Sequence, residues 1–375
     1  MERIIRVAYL CEFPTVLGGE SSLLAFLQQR AFAGVDPLVI CPQTGMLTDM
    51  LERMYIPREP WPAGGKRNAI ELAGTLEEWG IDLIHANSLM TCTQALDLAD
   101  AMSIPCVGHI RDIMTISADQ RDRLNRMDAM IAVSDYVREW MLGQGIASQK
   151  LHRIYNGIDF GVAKRSARSD ELRRRLSIAN NVRLVGCVGQ ICLRKGQDLF
   201  LEAARIVAAS VANAEFVVLG ARYSQKAETV EFESRLREIA DSRPLQGRVH
   251  FPGYLENGSE WIADLDLLVS ASRQEPLSRT ILEALAVGTP VIATNVGGSR
   301  EILQHSKKEF DVQLQRCVVP KDDPAALAEA ITHELNRANL RNQWQDIYSD
   351  IVQTRFSIEK NVRAVREIYD DVLSR

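Results

Sequence analysis

The chain has 375 residues, and its length predicts about two domains because one hydrophobic core rarely serves more than roughly 250 to 300 residues. Hydrophobic residues make up 46% and charged residues 25%, a balance that is typical of soluble globular proteins and excludes disordered and fibrous classes. The net charge of −5 provides no basic field for duplex nucleic acid, so nucleic acid is not an expected partner.

The first apolar run, IIRVAYLC, is too short for a signal peptide, and no stretch approaches the roughly 20 apolar residues that cross a bilayer. We therefore expect a cytoplasmic protein, with peripheral contact at the inner face of a membrane as an open alternative. The seven cysteines are scattered through apolar stretches without a C-x-x-C pair, which is typical of buried free thiols.

Up to about residue 160, short apolar runs alternate with amphipathic segments. The strand candidates are IIRVAYLC, DPLVIC, IDLIHA, IPCVGHI and DAMIAVS, and segments such as SSLLAFLQQRAF between them have helical spacing. This alternation predicts a doubly wound parallel sheet with helices on both faces. We assign residues 1–160 to this first, Rossmann-like domain and expect it to bind the acceptor of any reaction.

A polar, charge-dense segment at residues 161–181 predicts a linker, in which the run Arg173 to Arg175 is expected to form a solvated face. The strand pattern then restarts, so residues 182–352 predict a second Rossmann-like domain, and residues 353–375 predict a helix that packs back on the first domain. Ligands of such sheets bind at the carboxyl ends of the strands. Two such domains facing a cleft would direct both sets of strand ends into it.

The most informative segment lies between Ser272 and Glu301. A strand ends just before it, a loop then holds Glu275 and Pro276, and a helix is predicted to begin near Leu277. The first backbone N–H groups of a helix and the positive end of its dipole favour a phosphate. The amides expected to bind it are those of Leu277, Ser278 and Arg279, and Pro276 before them is expected to line the same donor site.

Glu283 follows Glu275 by eight residues, just over two helical turns, so both carboxylates are expected on nearly the same face of that helix. Carboxylates repel phosphate unless they face hydroxyl groups, and sugar and ribose hydroxyls are suitable donors. The predicted ligand is therefore a nucleoside diphosphate sugar, whose sugar and ribose hydroxyls would face the two carboxylates.

The segment E-P-L-S-R-T-I-L-E-A-L-A-V-G-T-P-V-I-A-T resembles the E-x7-E motif of family 4 retaining glycosyltransferases of the GT-B fold. The resemblance covers almost the whole chain, because further pieces match at Gly18-Gly19-Glu20, Ala132-Val133-Ser134, Asn156-Gly157-Ile158-Asp159 and Gly189 to Gly196. It implies a retaining, metal-independent hexosyltransferase of polysaccharide biosynthesis without a cofactor. Its donor would be a UDP-, GDP- or ADP-sugar, and its acceptor a glycan, a lipid-linked sugar or a small molecule.

The resemblance also assigns roles that the residue types can fill. Gly18 and Gly19 lack a Cβ and would let the backbone approach a donor phosphate closely. The ammonium group of Lys195 would neutralise the leaving diphosphate as a point charge.

Two positions depart from the family pattern. Gln190 stands where the family usually has an arginine of the diphosphate clamp, so either Arg194 substitutes for it or the clamp is weaker. The family's His-Asp pair aligns with Arg111-Asp112, which places His109 two residues earlier. Residues two apart on a strand share a face, so either His109 or Arg111 could reach the ligand.

Asp264-Leu265-Asp266 imitates a metal-binding D-x-D, but no third acidic or histidine ligand lies nearby in the sequence, so we expect a structural role and no metal. Two other functions stay open. One is a non-catalytic subunit that binds nucleotide sugars, which the departures at Gln190 and His109 would permit. The other is a related GT-B epimerase or phosphorylase, which would need further acid/base groups. The oligomeric state is not predicted.

Overall fold

Every strand pairing in the computed structural model is parallel, and the strands of the described residues form two separate sheets. The structure describes residues 3–61, 65–161, 168–256, 258–303, 316–337 and 353–375, with the backbone alone at 65–70. Two units contain the sheets: unit 1 is Met1–Gly157 with Phe356–Arg375, and unit 2 is Ile158–Arg355. The predicted fold class, two parallel-sheet α/β domains, is confirmed.

The sheet of unit 1 has the order β3-β2-β1-β4-β5-β6-β7. Its strands are β1 (Ile5–Leu10), β2 (Val35–Cys41), β3 (Arg58–Pro60), β4 (Leu83–Ala86), β5 (Cys106–Ile110), β6 (Ala129–Ala132) and β7 (Leu151–Arg153). The chain winds outwards in both directions from β1, so the topological switch point, where such sheets bind ligands, lies between β1 and β4. The central strands are almost continuously apolar because helices cover both faces.

The helices of unit 1 include the C-terminal segment of the chain. They are α1 (Gly18–Gln28), α2 (Arg30–Ala33), α3 (Met46–Arg53), α4 (Gly65–Glu78), α5 (Cys92–Met102), α6 (Ala118–Leu124), α7 (Asp135–Gly143) and, far along the sequence, α15 (Ile358–Leu373). Helix α15 buries Val362, Val365 and Tyr369 in one core cluster with Tyr9 of β1 and Phe26 of α1. The last helix therefore completes the core of the first domain.

The sheet of unit 2 has the order β10-β9-β8-β11-β12-β13, with its switch point between β8 and β11. Its strands are β8 (Arg183–Val188), β9 (Ala214–Leu219), β10 (Val249–Gly253), β11 (Leu267–Ser270), β12 (Val291–Thr294) and β13 (Val318–Val319). Its helices are α8 (Glu171–Leu176), α9 (Gln197–Ser210), α10 (Ala227–Asp241), α11 (Gly258–Ala263), α12 (Arg279–Ala286), α13 (Gly298–Leu303) and α14 (Pro324–Leu335).

Part of the predicted linker is an anchored helix. The carboxylate of Asp264, fully buried, accepts hydrogen bonds from the backbone N–H groups of Ser169, Asp170 and Leu172, at 2.8–2.9 Å. These are amides at the start of α8, which have no partner within the helix. Residues 162–167 of the predicted linker, and 338–352 at the end of the predicted second domain, lie outside the described residues.

The expectation of a solvated face at Arg173 to Arg175 is wrong for Arg173, whose side chain is only 1% exposed. Its guanidinium donates to the carboxylate of Asp266 at 2.5 Å and to the carbonyl of Val182 at 2.9 Å. Asp266 also accepts from Arg168 at 3.0 Å. A buried arginine is tolerated when its terminal guanidinium N–H groups are paired in this way, and a charge run read from sequence does not show such pairing.

No helix in the part of the chain that the structure describes is both long and apolar enough to cross a membrane.

Asp264→Ala should lower the free energy of unfolding of unit 2 by about 3 kcal/mol, because it leaves three amides at the start of α8 without a buried acceptor. Native-state hydrogen exchange of the α8 and β8 peptides, read by mass spectrometry, measures the change. Glu171→Ala is the control, since this exposed residue of the same helix should change the free energy by less than about 0.5 kcal/mol. Equal exchange in the two variants would contradict the anchoring role.

Candidate active site

Lys195 and Glu275 meet at the switch point of unit 2. Lys195 closes a short 3-10 turn, Leu193–Lys195, after β8, and Glu275 lies in the loop after β11. Because β8 and β11 are paired neighbours in a parallel sheet, their following loops emerge at the same edge. Lys195 Nζ lies 2.6 Å from Glu275 Oε2, so the structure brings together two of the predicted site residues.

Arg273 ties the two loops together. Its guanidinium donates to both carboxylate oxygens of Asp198, at 2.8 and 2.9 Å, and to the carbonyl of Leu193 at 2.9 Å. Its backbone N–H donates to the carbonyl of Arg194 at 2.8 Å, and the Arg194 guanidinium returns a bond to the carbonyl of Gln274 at 3.2 Å. Bidentate arginine–carboxylate pairs fix geometry as well as charge, so the loop that carries Lys195 is held against the loop that carries Glu275.

Two glycines permit the backbones to approach this closely. Gly196 has a φ of +66°, and a Cβ there would lie 1.9 Å from the carbonyl oxygen of Ala271. Gly297 has a φ of +48°, and its Cβ would lie 2.0 Å from the carbonyl oxygen of Glu275. Any other residue would have to move backbone atoms of the loop that carries Glu275.

Glu275 is a buried carboxylate, with a relative exposure of 4%. Burial by itself would raise its pKa, but the charges of Lys195 and Arg194 and hydrogen bonds from Lys195 and Ser272 bring that pKa below its ordinary value. Ser272 Oγ donates to Glu275 Oε2 at 3.2 Å. The carboxylate is therefore ionised at neutral pH and balanced by an ammonium group.

The helix after this loop begins later than the sequence pattern predicts. Helix α12 starts at Arg279, and Ser278 is its N-cap, accepting from the backbone N–H of Ile281. Leu277 and Ser278 therefore precede the helix, and of the three amides assigned to its first turn only that of Arg279 belongs there. The predicted helical relation between Glu275 and Glu283 is wrong for the same reason, because Glu275 lies outside the helix.

Glu283 has a different partner from Glu275. Its Oε1 accepts from Nε of Arg279, one turn earlier on α12, at 2.8 Å. Burial raises the pKa of Glu283, and the charge and hydrogen bond of Arg279 offset part of that rise. The Arg279 guanidinium is thus a neighbour of one of the two predicted hydroxyl-binding carboxylates, a role that the sequence pattern did not suggest.

Gln190 lies at the same edge of the sheet, just after β8. Its backbone carbonyl accepts from the side-chain amide of Gln197 at 2.8 Å, which anchors the start of the loop. Gly189 before it has a φ of +145° and lies beside the Lys195 side chain, where a Cβ would contact Cε at 3.7 Å. Pro276, also predicted to line the donor site, is covered by Gly298, whose Cβ would lie 2.3 Å from the Pro276 carbonyl oxygen.

In unit 1, Gly18 and Gly19 are the first two residues of α1, so they lie inside the helix rather than before it. A Cβ on Gly18 would meet nothing within 4 Å, whereas a Cβ on Gly19 would lie 3.2 Å from Cδ of Arg111. Gly19 therefore makes room for the Arg111 side chain next to the amino terminus of α1.

Arg111 and His109 interact directly. Arg111 Nη2 donates to His109 Nδ1 at 3.1 Å, Arg111 Nη1 donates to Oδ1 of Asn156 at 2.7 Å, and Nε donates to the carbonyl of Asn87 at 3.1 Å. His109 is 4% exposed, and Arg111 is half-buried. Of the two residues, Arg111 is the one with exposed surface at the carboxyl edge of the sheet.

Four residues of these clusters were not predicted as site residues: Asn87, Asn156, Ser272 and Arg273. For three of them the sequence position was a usable signal, because each follows a strand of a parallel sheet. Asn87 directly follows β4 at the switch point, and Ser272 and Arg273 follow β11. In the part of the chain that the structure describes, no three His, Cys, Asp or Glu side chains form a group that could hold a metal ion.

Two family models match the chain: "Glycosyltransferase Family 4" at residues 16–161 and "Glycosyl transferases group 1" at residues 168–347. Among curated proteins, the lipopolysaccharide core biosynthesis mannosyltransferase LpsB of Rhizobium meliloti is 27% identical over 251 residues, 67% of each chain. The O-antigen biosynthesis glycosyltransferase WclY of Escherichia coli is 25% identical over 228 residues, 60% of this chain and 57% of that one. The chain thus spans about three fifths to two thirds of these relatives.

Solved structures share the fold over nearly the whole chain. Anabaena HepE in complex with UDP and glucose has a TM-score of 0.85 at 22% identity, covering 98% of this chain and 99% of that one. A glycosyltransferase from Rickettsia africae has a TM-score of 0.84 at 19% identity, covering 99% of both chains. With both family models matched in chain order, one on each parallel-sheet unit, the chain is a member of glycosyltransferase family 4 with the GT-B fold.

Proposed function

We propose that this chain transfers a hexose from a nucleoside diphosphate sugar to an acceptor with retention of anomeric configuration and without a metal ion or cofactor. The observation that carries the proposal is the ion pair between Lys195 and Glu275 at the switch point of unit 2. The complexes of the related Anabaena protein with UDP and with UDP-glucose support a nucleotide-sugar donor. UDP-, GDP- and ADP-sugars all remain candidates.

The pair is suited to a ligand with an anionic end and a hydroxyl-rich end. Without a ligand, the ammonium and the carboxylate neutralise each other, which avoids an unpaired buried charge. A bound donor would offer its diphosphate to Lys195 and its sugar hydroxyls to Glu275. Each charge would exchange its protein partner for a ligand partner, so the donor could enter without leaving either group unsatisfied.

In the proposed mechanism, negative charge grows on the diphosphate as the bond to the anomeric carbon breaks. Lys195 and Arg194 would stabilise that charge, and each such donor is typically worth about 3 to 4 kcal/mol in a water-excluded site. The Glu275 carboxylate would stabilise the positive charge that develops on the sugar. Glu283 would bind the ribose, and Arg111 of unit 1 would contact the reacting sugar or the acceptor, with His109 behind it.

The names of the curated relatives support an acceptor that belongs to a cell-surface polysaccharide, either a glycan or a lipid-linked sugar. Such an acceptor would place the enzyme at the cytoplasmic face of a membrane.

Incubating the purified chain with a panel of nucleoside diphosphate sugars and measuring release of the diphosphate tests the transferase activity. A donor that raises the melting temperature but is never consumed, with any acceptor extract, would instead favour a non-catalytic binding subunit. Proton NMR of the product's anomeric signal distinguishes retention from inversion, and adding a chelator tests independence from metal.

Glu275→Gln should lower kcat by on the order of a hundredfold, because an amide of the same shape cannot stabilise positive charge on the reacting sugar. Steady-state kinetics with one accepted donor measures the effect. Ser272→Ala is the matched control: it removes a hydrogen bond to Glu275 but keeps the carboxylate, so its effect should be much smaller. Full activity in the Gln variant would exclude the proposed role of Glu275.

Glu283→Ala should raise the donor KM and leave kcat nearly unchanged, because a carboxylate on the ribose contacts a part of the donor that does not react. The same assay separates the two constants. The comparison variant is Arg279→Ala, which removes the cation beside Glu283 but keeps the Glu283 carboxylate. A collapse of kcat with an unchanged KM in Glu283→Ala would place this carboxylate at the reacting centre instead.

Arg194→Ala should lower turnover by on the order of a hundredfold, and Gln190→Arg should change it little, if Arg194 has taken over the diphosphate from the missing clamp arginine. We favour this takeover because Arg194 and Lys195 are adjacent in one short turn. Kinetics of the two single variants decides between the two arrangements. A gain in Gln190→Arg together with a silent Arg194→Ala would mean that the clamp is weak.

A further inference from the structure

A chain of hydrogen bonds between ring side chains crosses the core of unit 1 and ends at Arg111. Tyr9 Oη lies 3.2 Å from Tyr369 Oη, and Tyr369 Oη lies 2.8 Å from His85 Nδ1. His85 Nε2 then lies 3.3 Å from His109 Nδ1, which also receives Arg111 Nη2 at 3.1 Å. Tyr369 belongs to α15, so the final helix of unit 1 is connected to the loop after β5.

The direction of each hydrogen bond follows from the chemistry of Arg111. A guanidinium only donates, so His109 Nδ1 must accept, and a neutral His109 carries its proton on Nε2. His85 Nε2 must then be the donor to His109 Nδ1, which leaves His85 Nδ1 as an acceptor. Tyr369 therefore donates to His85, and Tyr9 donates to Tyr369.

Both imidazoles are neutral in this environment. Burial lowers the pKa of His85 to about 3 and the pKa of His109 well below its ordinary value, and the charge of Arg111 acts in the same direction on both. A protonated His109 would point an N–H at the guanidinium, which would be repulsive. With both imidazoles neutral, the hydrogen bonds run from Tyr9 to Tyr369, then to His85 and to His109, and a donor faces an acceptor at every contact.

The second ring nitrogen of His109, Nε2, carries the proton in this arrangement. Within the described residues, His109 Nε2 has no hydrogen-bond partner although the ring is buried. A cavity of about 10 Å³ is lined by the ring side chains of this chain of hydrogen bonds together with Arg111 and Asn156, and it has room for about one water molecule. Helix α15 also supports this region through Asn361, which donates to the carbonyl of Tyr155 at 2.8 Å.

We propose that Tyr369 is a positioning residue: its hydroxyl donates to His85 Nδ1 and reinforces the tautomers that Arg111 imposes on His85 and His109, which keeps His109 Nδ1 as the acceptor that orients the Arg111 guanidinium. The kinetic part of this inference rests on the proposed function, because it assumes that Arg111 contacts a substrate. The tautomer part concerns the free protein alone. Without the Tyr369 hydroxyl, His85 could carry its proton on Nδ1, and its Nε2 would then face His109 Nδ1 as a second acceptor.

Tyr369→Phe and Tyr9→Phe are matched variants of the full chain, because each removes one buried hydroxyl from the same hydrogen bond. Nitrogen-15 spectra of the histidine rings report which ring nitrogen carries the proton. The wild type and Tyr9→Phe should both show His85 and His109 protonated on Nε2, whereas Tyr369→Phe should show His85 with a population protonated on Nδ1. With an accepted donor, kcat/KM should fall about fivefold to tenfold in Tyr369→Phe and less than twofold in Tyr9→Phe.

A wild-type spectrum with His109 protonated on Nδ1 would overturn the proposal, and so would equal spectra and equal kinetics in the two variants. If Tyr369→Phe does not fold, the wild-type spectrum still shows which nitrogens carry the protons. The kinetic part is then tested with His85→Leu, which must lower kcat/KM at least as far as expected for Tyr369→Phe. A chain that turns over no donor would exclude the proposed function while the spectra still test the tautomers.

Discussion

A buried carboxylate needs a cation or hydrogen-bond donors as partners, and at Glu275 the pairing with the cation Lys195 organises the loops around the candidate site. The carboxylate lies at the carboxyl edge of a parallel sheet, where the neighbouring strand delivers Lys195 to within 2.6 Å. Arg273 and Asp198 then fix the two loops to each other, and Gly196 and Gly297 allow the backbones to approach. The ion pair is thus supported by contacts that contribute no chemistry of their own but determine where the two charges lie.

Much of the fold could be predicted from the sequence because its signals are local. The alternation of apolar runs with amphipathic segments is enough to predict two parallel sheets, since each strand needs helices on both faces. The motif beginning at Glu275 and the loop ending at Lys195 each follow a recognisable strand. Parallel pairing places such loops at one edge, so their proximity follows from topology once the strand order is known.

The parts that could not be predicted depend on individual side-chain contacts, most of them between residues far apart in the sequence. The start of α12 is set by Ser278, whose side chain caps Ile281, and a pattern of apolar spacing does not identify which polar residue acts as the cap. Arg173 looks like a surface residue in an arginine-rich run, but Asp266, 93 positions later, accepts its guanidinium. His85 and Tyr369 are separated by 284 positions, and no local signal connects them.

The return of the chain to unit 1 after unit 2 has a consequence for how the protein is made. During synthesis, residues 1–157 leave the ribosome first, yet the face of their sheet that α15 covers stays open until all of unit 2 has been translated. Unit 2 is continuous in sequence and can form its core as soon as it emerges. Until α15 emerges, Tyr9 lacks its partner Tyr369 and the apolar side chains that α15 contacts lack that cover, which is the stage at which a chaperone would be of most use to this chain.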